Sequence, residues 1–215
     1  MRKVALITDG WRRLFTYAWP AGILQRIRET GEDVNLYIFN STGNWSRDAG
    51  YNRAEYNIYN LPELSDFDGI ILELNNISSP AVLADVISNA KRSGRPVVSI
   101  ANELGDFYYV GIDNYSAMKQ VIAHLHEVHD CKKFWLLVGA QDNYESSCRL
   151  QGMLDYAKEH KIKIDKDDIW YGSFDYKSGL EGYKHLWDRH KELPDAVICI
   201  CLLYTSPSPR DRSVS

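Results

Sequence analysis

The chain has 215 residues, of which 45% are hydrophobic and 25% charged, with a formal net charge of -4. That composition belongs to a globular protein with a sizeable buried core, and it excludes collagen-like and low-complexity classes. No Lys/Arg-rich run occurs, so this segment lacks the electrostatic footprint of a nucleic-acid binder.

The chain opens with Val4–Thr8, a short apolar run that ends in Asp9-Gly10, which reads as a strand followed by a turn. The run reaches Asp9 too soon to serve as a secretory signal, and no stretch is long enough to span a membrane, so a cytoplasmic location is expected. Trp19–Thr30 follows with Ile23, Leu24 and Ile27 at helical spacing, and Gly31 stands where a helix would stop. Val34–Phe39 reads as a second strand. Residues 41–60 are polar, aromatic and weakly patterned, and read as a long surface loop. Gly69–Leu74 is a third strand. Ser79-Pro80 opens a helix to about Ser93, with proline at an early helical position. Pro96–Ile100 is a fourth strand.

The same alternation then repeats. Tyr108–Ile112 reads as a strand, Ser116–His129 as a helix with Val121, Ile122 and Leu125 inward, and Phe134–Val138 as a strand. Glu145–His160 is a helix, Ile169–Tyr171 a short strand, Ser178–His190 a helix and Ala196–Ile200 a last strand. Alternating strands and helices imply βαβ units, hence parallel sheets with helices on both faces. The near-continuous apolar strands 69–72 and 134–138 fit sheets buried on both sides. Two lobes are expected, residues 1–105 and 106–200. Residues 201–215 leave the strand pattern for a Ser/Pro/Arg-rich composition and read as a non-native tail.

The second block resembles the LacI/GalR regulators in several ordered pieces. Val110-Gly111-Ile112-Asp113-Asn114 is similar to the family's V-x-x-D-N turn, and His124-Leu125 to the "HL" of the next helix. Lys132-Lys133-Phe134 through Val138-Gly139 resembles R-R-I-x-x-I-x-G. Arg149-Leu150-Gln151-Gly152-Met153 resembles R-x-x-G-F. Gly172-Ser173-Phe174 with Ser178-Gly179, and Pro194–Cys199, resemble the G-D-F-x-x-x-S-G and P-D-A-V segments. The first block resembles the family more loosely, through Asp68–Ile71 and Arg95–Val98. Where the family usually continues with Asp-Arg, this chain has Ala101-Asn102.

The resemblance implies a two-lobed, type I periplasmic-binding-protein-like α/β fold whose second lobe is incomplete. It implies an effector-sensing domain of a transcriptional regulator, closing its lobes on a small polar ligand such as a sugar or nucleoside. It also implies a homodimer. The first strand is expected from Val4, which leaves no room for a DNA-reading element within these residues, so DNA is expected to be met only through a head domain outside them. The alternative is the cytoplasmic sensor of a signalling enzyme, such as a GGDEF diguanylate cyclase.

In this architecture ligands sit at the carboxyl ends of parallel strands. Asp9, Gly10, Trp11 and Phe15 follow the first strand, and the two rings would either stack on a ligand or pack a lobe edge. Asn75 and Asn76 follow the third strand, Asn102 and Glu103 the fourth; their amides suit hydroxyl groups, although asparagine is also a turn residue. Asp142 and Asn143 are cleft or turn residues. The resemblance assigns Arg149 as the guanidinium that holds the effector, with little share in the core, and Phe174 as a ring covering it.

No catalytic constellation, cofactor motif or metal site is expected. Cys131, Cys148, Cys199 and Cys201 lack metal or disulfide spacing, and read as buried thiols. His124, His126 and His129 lie on one helix, but positions two and five apart do not share a face.

Overall fold

The computed structural model describes residues 1–10, 13–42, 48–77, 79–141 and 143–201, with side chains in the first helix described from Tyr17 onward. Two compact units divide the chain, Met1–Ile112 and one beginning at Asp113.

The first unit carries a five-stranded parallel sheet in the order β2-β1-β3-β4-β5. Its strands are β1 (Arg2–Asp9), β2 (Val34–Ser41), β3 (Gly69–Glu73), β4 (Val97–Ile100) and β5 (Tyr108–Val110). Helix α1 (Arg13–Thr30) joins β1 to β2, and α3 (Pro80–Arg92) joins β3 to β4. Side chains alternate along β1. Ala5 and Ile7 enter one core with Ile70, Leu72, Val86, Ala90 and Val97, while Leu6 is buried on the other face.

Within 41–60, expected as a loop, the described residues 48–60 differ. Asp48 caps a short helix, α2 (Ala49–Glu55), by accepting from Gly50 N at 2.7 Å, and a 3-10 turn follows over Tyr56–Asn60. Tyr56 and Tyr59 are buried in the core. The pattern of residues 48–60 is weak because Tyr56 and Tyr59 are buried and Ile58 packs part-buried against the same core, while most of their neighbours meet solvent.

Strand β5 hydrogen-bonds to the edge of β4, with Ser99 opposite Tyr109. Tyr108–Val110 therefore close the first unit, and the expected boundary after residue 105 falls instead after Ile112. Ladder pairing decides the division here, whereas the alternation of elements in the sequence looks the same on both sides of it.

The second unit has a three-stranded parallel sheet, β7-β6-β8, built from β6 (Phe134–Val138), β7 (Ile169–Tyr171) and β8 (Ala196–Cys199). All five residues of β6 are buried, because each face is covered. Phe134, Leu136 and Val138 pack with α4 (Asn114–His129) and α5 (Tyr144–Glu159), through Ile122, Met153 and Tyr156. Trp135 and Leu137 pack with Leu186 of α6 (Tyr176–His190) on the other side. Val121, expected to point inward, is 41% exposed; the α4 stripe facing the sheet is centred on Ile122.

Asx caps set the helix starts. Asp113, Asn143 and Asp175 accept from the backbone N–H of Ser116, Ser146 and Ser178 at 2.8–2.9 Å. Helices α4 and α6 end where Asp130 and Lys191 turn left-handed. Of the four cysteines only Cys131 is buried; the other three are partly exposed, and all are free thiols. Among the described residues, no helix is long and apolar enough to cross a membrane.

Candidate functional site

In the first unit the chain order reverses about β1, which lies between β2 and β3. A crevice for a ligand opens at the carboxyl ends of strands flanking such a reversal. Asp9 ends β1 there, and Glu73 ends β3 beside it.

The strand ends are tied together by side chains. Thr8 Oγ1 donates to Glu73 Oε2 at 2.7 Å, and the Tyr59 hydroxyl donates to the Thr8 carbonyl at 2.9 Å. Asn76 Nδ2 donates to the Asp9 carbonyl at 2.9 Å. The Asp9 carboxyl is 1% exposed, with Oδ2 3.5 Å from the Tyr56 hydroxyl. Burial first, and then the negative charge of Glu73, hold its pKa up at about 7, against the opposing pull of Tyr56 and the Gly10 N–H. Burial, followed by the neighbouring Asp9 charge, pushes the Tyr59 hydroxyl far above the ordinary tyrosine range.

Asn102 is buried after β4, next to Ala101, which adopts φ 67. A left-handed alanine is strained, and such outliers gather where a backbone is held for a purpose. Asn75 is half-buried after β3, and Glu103 is exposed. Three acceptor oxygens at these strand ends, Asn40 Oδ1, Asp9 Oδ1 and Asn102 Oδ1, are buried and meet no donor among the described residues. Trp11, Asp142 and the Phe15 side chain lie outside the described residues.

In the second unit, Arg149 sits in the second turn of α5. Its Nε donates to Asn114 Oδ1 at 2.8 Å and its Nη1 to the Ile200 carbonyl at 3.0 Å. Nη2 is 3.8 Å from Glu145 Oε1, which accepts from Asn114 Nδ2 at 3.2 Å. The guanidinium thus binds the first turn of α4 to the carboxyl end of β8. This corrects the expectation of an arginine with little structural share, because two of its three nitrogens are spent on internal acceptors. Arg149→Ala should lower stability by about 1.5–3 kcal/mol, the range for hydrogen bonds from a charged donor. Arg149→Lys should recover less than half of that loss in urea unfolding, since an ammonium cannot span both acceptors.

Phe174 adopts φ 58 and lays its ring on Gly139 at the end of β6. A Cβ at residue 139 would stand 2.1 Å from that ring, so any larger residue there must displace the Phe174 ring. Asn143 is occupied as the cap of α5. Reasoning from sequence singled out neither Glu73 nor Asn114. A lone charge inside the apolar run Gly69–Leu74 was the available signal for Glu73, whereas Asn114 read only as part of a turn.

No known protein-family profile matches the chain. It is similar to catabolite control protein A of Staphylococcus epidermidis (strain ATCC 12228 / FDA PCI 1200), 29% identical over 148 residues, covering 68% of this chain and 42% of that protein. The same protein of Staphylococcus xylosus is 31% identical over 147 residues, with 68% and 42% covered. The chain therefore spans less than half the length of these curated relatives. Among solved structures it resembles a sugar-binding transcriptional regulator of the LacI family from Escherichia coli, complexed with phosphate. The TM-score is 0.69 at 18% identity, over 94% of this chain and 69% of that one. The chain has the fold of a LacI/GalR-type effector-binding domain. In this LacI/GalR-type fold each sheet presents its own row of strand ends: Asp9, Glu73 and Asn102 in the first unit, Gly139 and Ile200 in the second.

Proposed function

We propose that this chain is the effector-sensing part of a LacI/GalR-type transcriptional regulator and takes a small polyhydroxylated ligand, a sugar or a nucleoside. The row of buried acceptors Asn40 Oδ1, Asp9 Oδ1 and Asn102 Oδ1 carries this reading. A buried acceptor without a donor costs about 1–3 kcal/mol. A molecule rich in hydroxyl donors, admitted at the strand ends, would supply what the row lacks. The similar Escherichia coli protein is described as sugar-binding, in keeping with this ligand class. In the first unit Asn75 adds a further amide, and Trp11 and Phe15 would add apolar faces; the ligand-facing groups proposed for the second unit, taken by itself, are Arg149 through Nη2 and the ring of Phe174. The similar proteins named above give no support to a signalling-enzyme output. A cytoplasmic homodimer acting on DNA through a separate head is part of the same proposal.

Glucose, fructose, ribose, adenosine and uridine form a discriminating panel for isothermal titration calorimetry. At least one should bind the chain, and Asn102→Leu should weaken that binding about tenfold, the effect of removing one good hydrogen bond at 1.4 kcal/mol. Binding by none of the five, or equal affinity in Asn102→Leu, would overturn the assignment.

A further inference from the structure

Five residues apart on a continuing helix, two side chains point about 140° away from each other. His124 and His129 both lie in α4, His129 as its last residue before Asp130 turns left-handed with φ 53. Their two long side chains nevertheless bend toward each other across the last turn, and the rings meet. The two Nε2 atoms lie 3.2 Å apart, with the ring planes at 78° and the centroids 5.0 Å apart. Both residues are exposed. The neighbouring His126 is committed elsewhere: its Nδ1 is 3.1 Å from the Tyr156 hydroxyl, and Tyr156 stacks on His160.

We propose that His124 and His129 form a two-histidine site for a divalent transition-metal ion of the zinc, nickel and copper group. Two imidazole nitrogens on one zinc at about 2.0–2.1 Å are about 3.3 Å apart in tetrahedral geometry, and about 2.9 Å apart at right angles. The observed 3.2 Å falls between these two values. A straight end-on N–H···N contact at this separation would hold the centroids about 5.5 Å apart. The rings are bent off that line, as two ligands converging on one ion must be. An exposed hydrogen bond between two imidazoles competes with water and stabilises little. The same pair offers two neutral nitrogen bases to an ion, and imidazole suits zinc, copper and nickel but not magnesium or calcium.

Among the described residues no third histidine, cysteine or carboxylate completes the site, so water would fill the remaining positions. The adjacent Asp130 carboxylate is engaged by Lys132 Nζ at 3.0 Å. Gly139, Arg149 and the strand ends of the second sheet play no part in this pair.

Calorimetric titration of the whole chain at pH 7.5 with nickel, zinc and magnesium chlorides tests the proposal. One equivalent of nickel or zinc should bind, and magnesium should not. His124→Ala and His129→Ala should each weaken nickel binding at least tenfold, with unchanged far-ultraviolet circular dichroism. His185→Ala, which alters a ring beside Trp170, should leave it unchanged. Lowering the pH to 5.5 should also weaken binding, because protons compete for the ligating nitrogens. Absence of nickel and zinc binding overturns the site. So does undiminished binding in the double variant His124→Ala/His129→Ala, which would transfer the metal to the free cysteines.

Discussion

Asp9→Asn should make the first unit more stable at pH 8 by about 1–3 kcal/mol and flatten its dependence on pH. Asp9 is 1% exposed, and burial beside Glu73 holds its pKa up at about 7. In the unfolded chain the carboxyl returns to the ordinary range near 4. The folded state therefore binds the proton more tightly than the unfolded state does. The protonated carboxyl contributes its full stability below about pH 4, and that contribution is lost as the pH rises through about 7. At about 1.4 kcal/mol per unit of pKa, the ceiling on this loss is about 4 kcal/mol. Asparagine keeps the shape and cannot ionise, so it removes the dependence. Urea unfolding of wild type and Asp9→Asn between pH 5 and 8 checks it. The two curves should lie close together near pH 5, separate as the pH rises toward 7, and keep a constant gap above it. Parallel curves across that range would show that Asp9 is ionised and well paired.

The second large effect belongs to Gly152, where α5 crosses α4. A Cβ built at this residue would stand 2.3 Å from the Tyr115 carbonyl oxygen, a backbone atom that cannot move without its helix. The crossing is further fixed by the Tyr115 hydroxyl donating to Asp155 at 2.9 Å and by Lys119 pairing with Glu159 at 2.8 Å. Substituting alanine for glycine inside a helix ordinarily stabilises by about 0.5–1 kcal/mol. Here the helices must part, and Ile122 and Met153 lose contact behind them. Gly152→Ala should destabilise the second unit by about 2–4 kcal/mol, within the range for overpacked cores. Gly22→Ala is the control: nothing lies within 4 Å of its Cβ, and it should stabilise slightly or not at all. A Gly152→Ala protein whose thermal transition matches wild type would mean that the interhelical gap is wider than this geometry allows.

The legibility of the fold followed the strength of the local signals. Residues 134–138 and 169–171 were read with their observed ends, because apolar runs between turn residues have few other ways to bury themselves. Helix α3 was read nearly to its observed limits, because Ser79 and Pro80 are local devices that act within one turn. Residues 48–60 depart from the expected loop for the opposite reason. Tyr56 and Tyr59 are core residues only by virtue of the sheet against which they pack, and no period announces them.

The site divides along the same line. Which residues follow the carboxyl ends of strands depends on chain order, so Asp9, Asn75 and Asn102 could be placed at strand ends from sequence, whereas Arg149 was assigned by the resemblance alone. Their partners depend on which strands lie side by side. Thr8 reaches Glu73 only because β1 and β3 are neighbours, although 65 positions separate the two residues. Arg149 reaches Ile200 only because β8 adds to the edge of β6, 51 positions away along the chain. Composition, periodicity and capping thus determined that this chain alternates strands and helices and where most of them begin. Strand order and helix crossing decided which polar groups are buried together, which carboxyl has its pKa raised, and which glycine lies against a neighbouring helix backbone. Local propensity acts over a turn or two, whereas burial and pairing are set by surfaces that meet only when the sheet has formed.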